Sequence, residues 1–188
     1  MLAYVFWHRP AEGVAADAYR PLLARFHRSL AARRPVGFHG STTFAVAAPN
    51  WLGEEPAFED WYLVEDFAAL GVLNEAAIGR GHLSAHDAAA RAAGPGAGGI
   101  YRLLEGTPTL DHVRVAVWID KPRGVESPLL AALLGDGMDS KNAGLWQRQL
   151  TLGPAPEYCV LAAQAPRGVA ATRLAHGWRA STSEREPI

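Results

Sequence analysis

The residues most able to do acid–base chemistry in this sequence are histidines placed in strand-like segments. Tyr4, Phe6 and His8 alternate at a spacing of two, so a strand would place their side chains on one face. His39 opens a second strand-like segment, and Arg9 follows His8 directly. An imidazole can act as a general base near neutral pH, and a guanidinium can hold an anionic group. We therefore take His8, Arg9 and His39 as candidate catalytic residues, although each imidazole could equally be a hydrogen-bonded residue at a strand end.

Aromatic residues indicate where a substrate would bind. The chain has six tryptophans, of which Trp51 lies in a Pro- and Gly-containing loop over 47–58 and Trp61 opens a short strand-like segment. Together with Tyr4 and Phe6, these side chains could line a pocket for a small apolar or aromatic molecule. The alternative is that the tryptophans on strands fill the core, because burying a large aromatic ring stabilises any fold.

Other kinds of site lack the residues that they need. The nearest approach to a metal site is His82 with His86, but a predicted helix start at Ser84 separates the two. Cys159 is the only cysteine, so neither an internal disulfide nor a thiolate cluster can form. The glycine run 94–99 is not followed by Lys-Ser/Thr, and the chain has no G-x-S-x-G motif. We therefore expect no metal and no cofactor.

Composition excludes further classes of function. With 188 residues, the chain can bury a core without disulfides or metals. Its formal net charge of -1 supplies no field that would attract a nucleic acid. No apolar run is long enough to cross a bilayer, and the N-terminus lacks the pattern of a secretion signal. These features favour a soluble cytoplasmic protein without a nucleic-acid or membrane partner.

The first half of the chain has the pattern of a β-α-β-β-α-β unit. β-Branched and aromatic runs bounded by Pro, Gly and Asn predict strands, and apolar residues at helical spacing predict helices. The glycine run 94–99 has the pattern of a flexible break before a short last strand. The predicted strands cover 3–9, 38–46, 61–64 and 100–104, and the predicted helices start at Asp17, Asp66 and Ser84.

The second half repeats the opening of the first. Tyr4 to Pro10 and Val115 to Pro122 are both β-branched and aromatic runs that contain one Trp, a basic residue and a closing Pro. Further patterns predict strands over 113–119, 145–152 and 158–163, short helices over 127–134 and 169–178, and no clear fourth strand. The repeat predicts a first unit over 1–106, a shorter second unit over 107–180 and a frayed polar tail over 181–188.

A duplicated β-α-β-β-α-β pattern with aromatic-rich strands resembles the dimeric α+β barrel superfamily, and the resemblance covers roughly 3–180. The resemblance implies two ferredoxin-like units whose sheets face each other in an α+β barrel. The superfamily includes cofactor-free antibiotic-biosynthesis-type monooxygenases, EthD-like proteins and haem enzymes resembling chlorite dismutase. The surroundings of His176, the late histidine that a haem could use, do not match the pattern of the haem enzymes.

Residues and resemblance together predict a small-molecule enzyme, monooxygenase-like and independent of a cofactor. Its apolar or aromatic substrate would lie in the barrel or in the crevice between sheet and helices. The competing hypothesis is a non-catalytic ligand-binding or protein-interaction protein in which the histidines are incidental. A single chain could close both sheets internally, whereas an exposed strand edge would favour a homodimer.

Overall fold

The computed structural model describes residues 1–47, 51, 56–79, 81–120, 126, 138–151, 155–166 and 179–188. Its strands are β1 (Leu2–Pro10), β2 (Phe38–Val46), β3 (Ala57–Val64), β4 (Ala93–Gly106), β5 (Val115–Asp120), β6 (Ala143–Thr151), β7 (Tyr158–Ala162) and β8 (Arg179–Pro187). Its helices are α1 (Ala16–Ala32), α2 (Phe67–Ala77) and α3 (Leu83–Ala92). Over these ranges, no helix combines the length and the apolar character that crossing a bilayer would require.

The strands close into one antiparallel barrel in the order β1-β3-β2-β8-β5-β7-β6-β4, with β4 pairing back onto β1. The spatial order is β4-β1-β3-β2 in the first half and β8-β5-β7-β6 in the second. Each half therefore places its own strands in the order fourth, first, third, second, which is the ferredoxin-like arrangement. The predicted fold, two ferredoxin-like units forming an α+β barrel, is confirmed.

Strand β3 is the central element of the first half, because all of its side chains are buried. Successive side chains alternate between the barrel interior and the outer face of the sheet. The adjacent acids Glu59 and Asp60 therefore lie on opposite sides of the sheet. Glu59 contacts Trp7 and Trp61 inside the barrel, while Asp60 contacts His8 on the outer face. A buried carboxylate is costly without hydrogen-bonding or charged partners, and both acids have them.

Aromatic side chains from both halves fill the barrel interior. The rings of Trp7 on β1 and Trp118 on β5 have centroids 5.3 Å apart, and Trp61 packs against Trp146 at 5.5 Å. The carboxylate of Glu59 accepts hydrogen bonds from the indole N–H groups of Trp7, at 2.8 Å, and Trp61, at 2.5 Å. The interior is thus a packed core around a hydrogen-bonded acid, and its aromatic contacts join the two halves.

Helices α1, α2 and α3 cover the outer face of the first-half sheet. The residues that α1 buries follow the spacing of one helix face: Tyr19, Leu23, Phe26, His27 and Leu30. The predicted cap at Asp66 is confirmed, because its Oδ1 accepts a hydrogen bond from the N–H of Ala69 at 2.9 Å. The predicted caps at Asp17 and Ser84 are wrong. Helices α1 and α3 begin at Ala16 and Leu83, so Asp17 and Ser84 lie inside the first turn, and the N-cap residues Ala15 and His82 make no side-chain capping hydrogen bond.

Two predictions for the first half are wrong. The predicted loop over 47–58 extends too far, because β3 begins at Ala57 rather than at Trp61, and residues 94–99 belong to β4 rather than to a flexible break. Gly96 and Gly98 of β4 pair with His8 and Phe6 of β1. A Cβ atom at Gly96 would lie only 2.6 Å from Cζ of Phe6. The glycines therefore give the β1 aromatic rings room to lie across the neighbouring strand, which is a common role of glycine within a sheet.

The predicted polar tail over 181–188 and the missing fourth strand of the second unit are also wrong. β8 occupies most of that segment and pairs with β5 and β2. A polar segment can form a strand here because neighbouring strands offer main-chain N–H and C=O groups that need partners. This pairing closes the barrel, so the sheet edge that favoured a homodimer is paired within the chain. The predicted helices over 127–134 and 169–178 lie outside the described residues.

Replacing Glu59 by Leu should lower the free energy of unfolding by about 2 kcal/mol or more, because two buried indole N–H groups lose their acceptor at roughly 1–3 kcal/mol each. Glu59→Gln keeps one acceptor oxygen and should lose less than half as much. Urea unfolding followed by far-UV circular dichroism measures both variants. A Glu59→Leu protein as stable as the wild type would show that these hydrogen bonds do not support the core.

Candidate functional site

A cavity of about 420 Å³ lies between the outer face of the first-half sheet and the three helices. Most of its wall is apolar and comes from aromatic residues of β1 and α1 and from small or aliphatic residues of α2 and α3. The polar side chains that reach it are Tyr4, His8, Tyr19, Asp60, Tyr62, Asn74 and His86. An apolar cleft with a few converging polar groups is the usual form of a small-molecule site.

A cluster around Asp60 borders this cavity. Its Oδ2 lies 3.2 Å from Nε2 of His8 and accepts a hydrogen bond from the Tyr62 hydroxyl at 2.8 Å. Its Oδ1 lies 3.4 Å from Nε2 of His27. On the far side of His8, Nδ1 lies 2.9 Å from the hydroxyl oxygen of Tyr19. Asp60, His8 and Tyr19 therefore form a continuous polar chain that ends at the cavity wall.

Sheet register and helix periodicity bring these residues together. Asp60 of β3 pairs with Phe6 of β1, so the neighbouring same-face position on β1, His8, lies diagonally across from the carboxylate. Tyr19 and His27 lie eight residues apart on α1, slightly more than two turns, and so share its buried face. The cluster thus depends on three elements that are distant in sequence.

Burial and charge set the protonation of the cluster. Burial by itself would raise the pKa of the Asp60 carboxyl, but the adjacent imidazoles of His8 and His27 outweigh burial and hold that pKa well below its ordinary value. Burial, and secondly the charge of Asp60, raise the pKa of the Tyr19 and Tyr62 hydroxyls well above their ordinary value. Near neutral pH the carboxylate is therefore charged, and both phenols keep their protons.

This arrangement can accept a proton from a bound molecule. If the Nε2–H of His8 faces Asp60, then Nδ1 of His8 accepts a hydrogen bond from the Tyr19 hydroxyl, a tautomer inferred from the contacts. Tyr19 could take a substrate proton while its own proton passes to His8. Asp60 would then balance the positive charge on the imidazole. The geometry is that of a general base oriented and supported by a buried carboxylate.

The structure separates the candidate residues predicted from the sequence into two groups. His8, Tyr4 and Phe6 line the cavity, as their shared strand face predicts. Trp51 and Trp61 pack instead with the barrel interior, on the opposite side of the sheet. The alternation along β3 explains the position of Trp61, because it puts Trp61 on the same face as Glu59.

The other two candidates lie away from the cavity. Arg9 is half-buried and is not among the lining residues; it lies at the irregularity between His8 and Pro10, where the pairing of β1 with β4 shifts register. His39 is exposed at the bulge between Phe38 and Gly40 of β2. Within the described residues, no group of three or more His, Cys, Asp or Glu side chains is placed to hold a metal ion.

Sequence reasoning missed Asp60, Tyr19, Tyr62 and His27. A signal for Asp60 was present, since Glu59 and Asp60 interrupt an otherwise apolar segment from Ala57 to Val64. Two acids within such a segment indicate buried, partnered carboxylates on opposite faces of one strand. Nothing in the sequence pairs Asp60 with a histidine on α1, because that contact arises only when the helix packs on the sheet.

Replacing Asp60 by Asn should lower the free energy of unfolding at pH 7 by about 3 kcal/mol, because it removes the charge that faces two buried imidazoles. The lowered pKa of Asp60 means that its stabilisation is complete above its unfolded value of about 4 and is lost as the pH falls further. The gap between wild type and variant should therefore shrink at pH 3. Urea unfolding at both pH values tests this, with the exposed Asp111→Asn as the control expected to change little. A gap of equal size at both pH values would contradict the assignment.

The chain shares its fold with solved structures of very different sequence. A candidate monooxygenase from Fusobacterium nucleatum is 8% identical with a TM-score of 0.64, and the match covers 100% of this chain and 92% of that one. A candidate monooxygenase from Lactobacillus acidophilus is 8% identical with a TM-score of 0.60, covering 99% and 93%. An anthrone oxidase-like protein is 10% identical with a TM-score of 0.51, covering 100% and 92%.

No protein-family model and no curated protein sequence matches the chain. The structural similarity establishes the fold, but sequence identities this low leave the activity open. The chain therefore has a ferredoxin-like α+β barrel fold.

Proposed function

We propose that this protein is a small-molecule enzyme that removes a proton from an aromatic substrate bound in the crevice between sheet and helices. The observation that supports the proposal is the series of polar contacts from Asp60 through His8 to Tyr19 at the cavity wall. A carboxylate, an imidazole and a hydroxyl in series form the kind of unit that activates a substrate proton. A general base of this kind contributes roughly 10²- to 10⁴-fold to a rate.

The cavity favours a neutral substrate with two or three rings. Asp60 is the one formally charged side chain among the lining residues, and none of them is Lys or Arg. An anionic substrate would therefore lack a counter-charge, so the anion-binding role considered for Arg9 is not part of this proposal. A cavity of about 150 Å³ holds one benzene ring. The present cavity, at about 420 Å³, is large enough for a small fused ring system.

The reaction that suits this base is oxidation of an acidic C–H group by dioxygen. Removal of one proton from a CH₂ group conjugated with a ketone or phenol leaves a carbanion that gives electrons to O₂ and forms a C–O bond, which yields a peroxide anion. The proton held on His8 returns to the outer peroxide oxygen and gives a hydroperoxide. Loss of the second C–H proton with cleavage of the O–O bond then leaves a carbonyl group and releases water. The balance is CH₂ + O₂ giving C=O + H₂O. Structures of this fold described as monooxygenase candidates and as anthrone oxidase-like support an oxidation of this kind.

The same proposal includes an internal duplication. The repeated strand order of the halves supports a first unit that ends near Gly106 and a second that follows it. In this arrangement the sheet of the second unit covers the inner face of the first, where Trp7 contacts Trp118. The substrate would then bind in the crevice outside the first sheet rather than inside the barrel, because aromatic rings fill the interior.

Oxygen uptake with anthrone, a tricyclic ketone with an acidic CH₂ group, tests the proposed function. Tyr19→Phe keeps the ring but removes the hydroxyl, and it should lower kcat by roughly 10²-fold or more. His39→Ala is the matched control, because His39 is exposed and lies away from the cavity. An oxygen electrode and chromatography of the product measure the turnover.

Two outcomes would count against the enzyme. Equal turnover by Tyr19→Phe and wild type would exclude from the mechanism the proton relay, which is the transfer of a proton through Tyr19 to His8 supported by Asp60. Binding of anthrone and related two- and three-ring compounds, without oxygen uptake by the wild type, would instead support the non-catalytic ligand-binding alternative. The largely apolar wall of the cavity suits such a binding role equally well.

A further inference from the structure

A second series of polar contacts reaches Asp60 through residues that do not line the cavity. Nδ1 of His27 lies 2.7 Å from Oγ of Ser41, and Nε2 of His27 lies 3.4 Å from Oδ1 of Asp60. The order hydroxyl, imidazole, carboxylate is the same as in Tyr19, His8 and Asp60. One carboxylate is therefore shared by two hydroxyl–imidazole pairs, of which one lines the cavity and the other does not.

His27 has no direct access to the cavity. It does not line the cavity, although Phe26 beside it on α1 does. His27 is 7% exposed, and its ring stacks on the ring of Tyr62, with centroids 5.1 Å apart and planes 17° from parallel. His27 therefore contacts three groups: the carboxylate of Asp60, the ring of Tyr62 and the hydroxyl of Ser41.

The orientation of Asp60 decides whether His8 can work as a base. The proton relay needs Oδ2 to face Nε2 of His8, and a carboxylate held at only one oxygen could rotate away. Tyr62 donates to Oδ2, while Nε2 of His27 lies 3.4 Å from Oδ1 and is the group placed to restrain that oxygen. Ser41 faces Nδ1 of His27. If the Ser41 hydroxyl donates to Nδ1, then Nε2 of His27 carries the proton and faces Oδ1 of Asp60, a tautomer inferred from the contacts.

We propose that His27, with Ser41 behind it, is a positioning residue that holds Asp60 in the orientation needed by the proton relay. It acts on the reaction only through Asp60. The catalytic meaning of this role rests on the function proposed above, whereas the restraint on Asp60 exists without any substrate. A displacement of a catalytic group by about 1 Å can cost roughly 10²-fold in rate, which sets the scale of the expected effect.

Two substitutions of His27 separate hydrogen bonding from packing. His27→Phe keeps a ring that can stack on Tyr62 but removes the N–H that faces Asp60. His27→Gln loses the stacked ring but keeps an N–H donor. A positioning role predicts that kcat falls about 10- to 100-fold in His27→Phe, with KM within twofold, and that His27→Gln recovers most of the loss. If His27 only packs, the order of the two variants reverses and the proposal fails.

Nuclear magnetic resonance of the His8 ring gives a readout that needs no substrate. In the folded protein we expect slow solvent exchange of the His8 Nε2 proton in wild type and His27→Gln, and exchange at least tenfold faster in His27→Phe. His39→Phe and His39→Gln are the matched controls, since His39 is exposed on β2. Ser41→Ala should change the exchange in the same direction as His27→Phe, by a smaller factor.

The two readouts distinguish failure of this inference from failure of the proposed function. If the exchange rates follow the expected pattern but no substrate is turned over, the proposed enzymatic function is contradicted, whereas the restraint on Asp60 is supported. Turnover in the wild type with equal exchange in all variants would overturn the inference. Equal kcat in the two His27 variants and the wild type would overturn it as well.

Discussion

Strand β3 carries two neighbouring carboxylates into the protein, one on each face of the sheet. Removing a charge from water costs several kcal/mol unless partners replace the lost hydration. Glu59 finds indole N–H groups inside the barrel, and Asp60 finds imidazole and phenol groups outside it. These requirements tie β3 to β1 on both faces and to α1 on the outer one, so the position of the strand is determined by polar contacts as well as by apolar burial.

The two faces of the first-half sheet have different contents, and the packing explains why. On the inner face, large rings from both halves meet and fill the space, as Trp7 and Trp118 do. On the outer face, the aromatic residues of β1 meet helices that present small side chains to the cavity, including Ala77, Ala89 and Ala90. Small residues opposite rings leave a gap, and a cavity wide enough for a small molecule results. The site therefore lies in the crevice and not in the barrel.

The proposed chemistry follows from where the charge of Asp60 is held. A buried carboxylate flanked by two imidazoles stays ionised, since the imidazoles overcome the effect of burial on its pKa. That charge can stabilise a proton on His8 in an apolar environment, where electrostatic interactions are stronger than in water. The fold itself supports many activities, so the functional argument depends on this cluster rather than on the barrel.

The sequence by itself determined the period-two runs that became strands, the helix cap at Asp66 and the shared face of Tyr4, Phe6 and His8, because these depend on local spacing. It also predicted the ferredoxin-like unit and its repetition, since each follows from the order of local patterns. Tertiary structure alone decided that Asp60 meets His8 and His27, that Trp61 faces away from the cavity, and that the polar C-terminal segment forms β8. Those features depend on sheet register, helix docking and main-chain pairing between segments far apart in the chain, which no local pattern specifies.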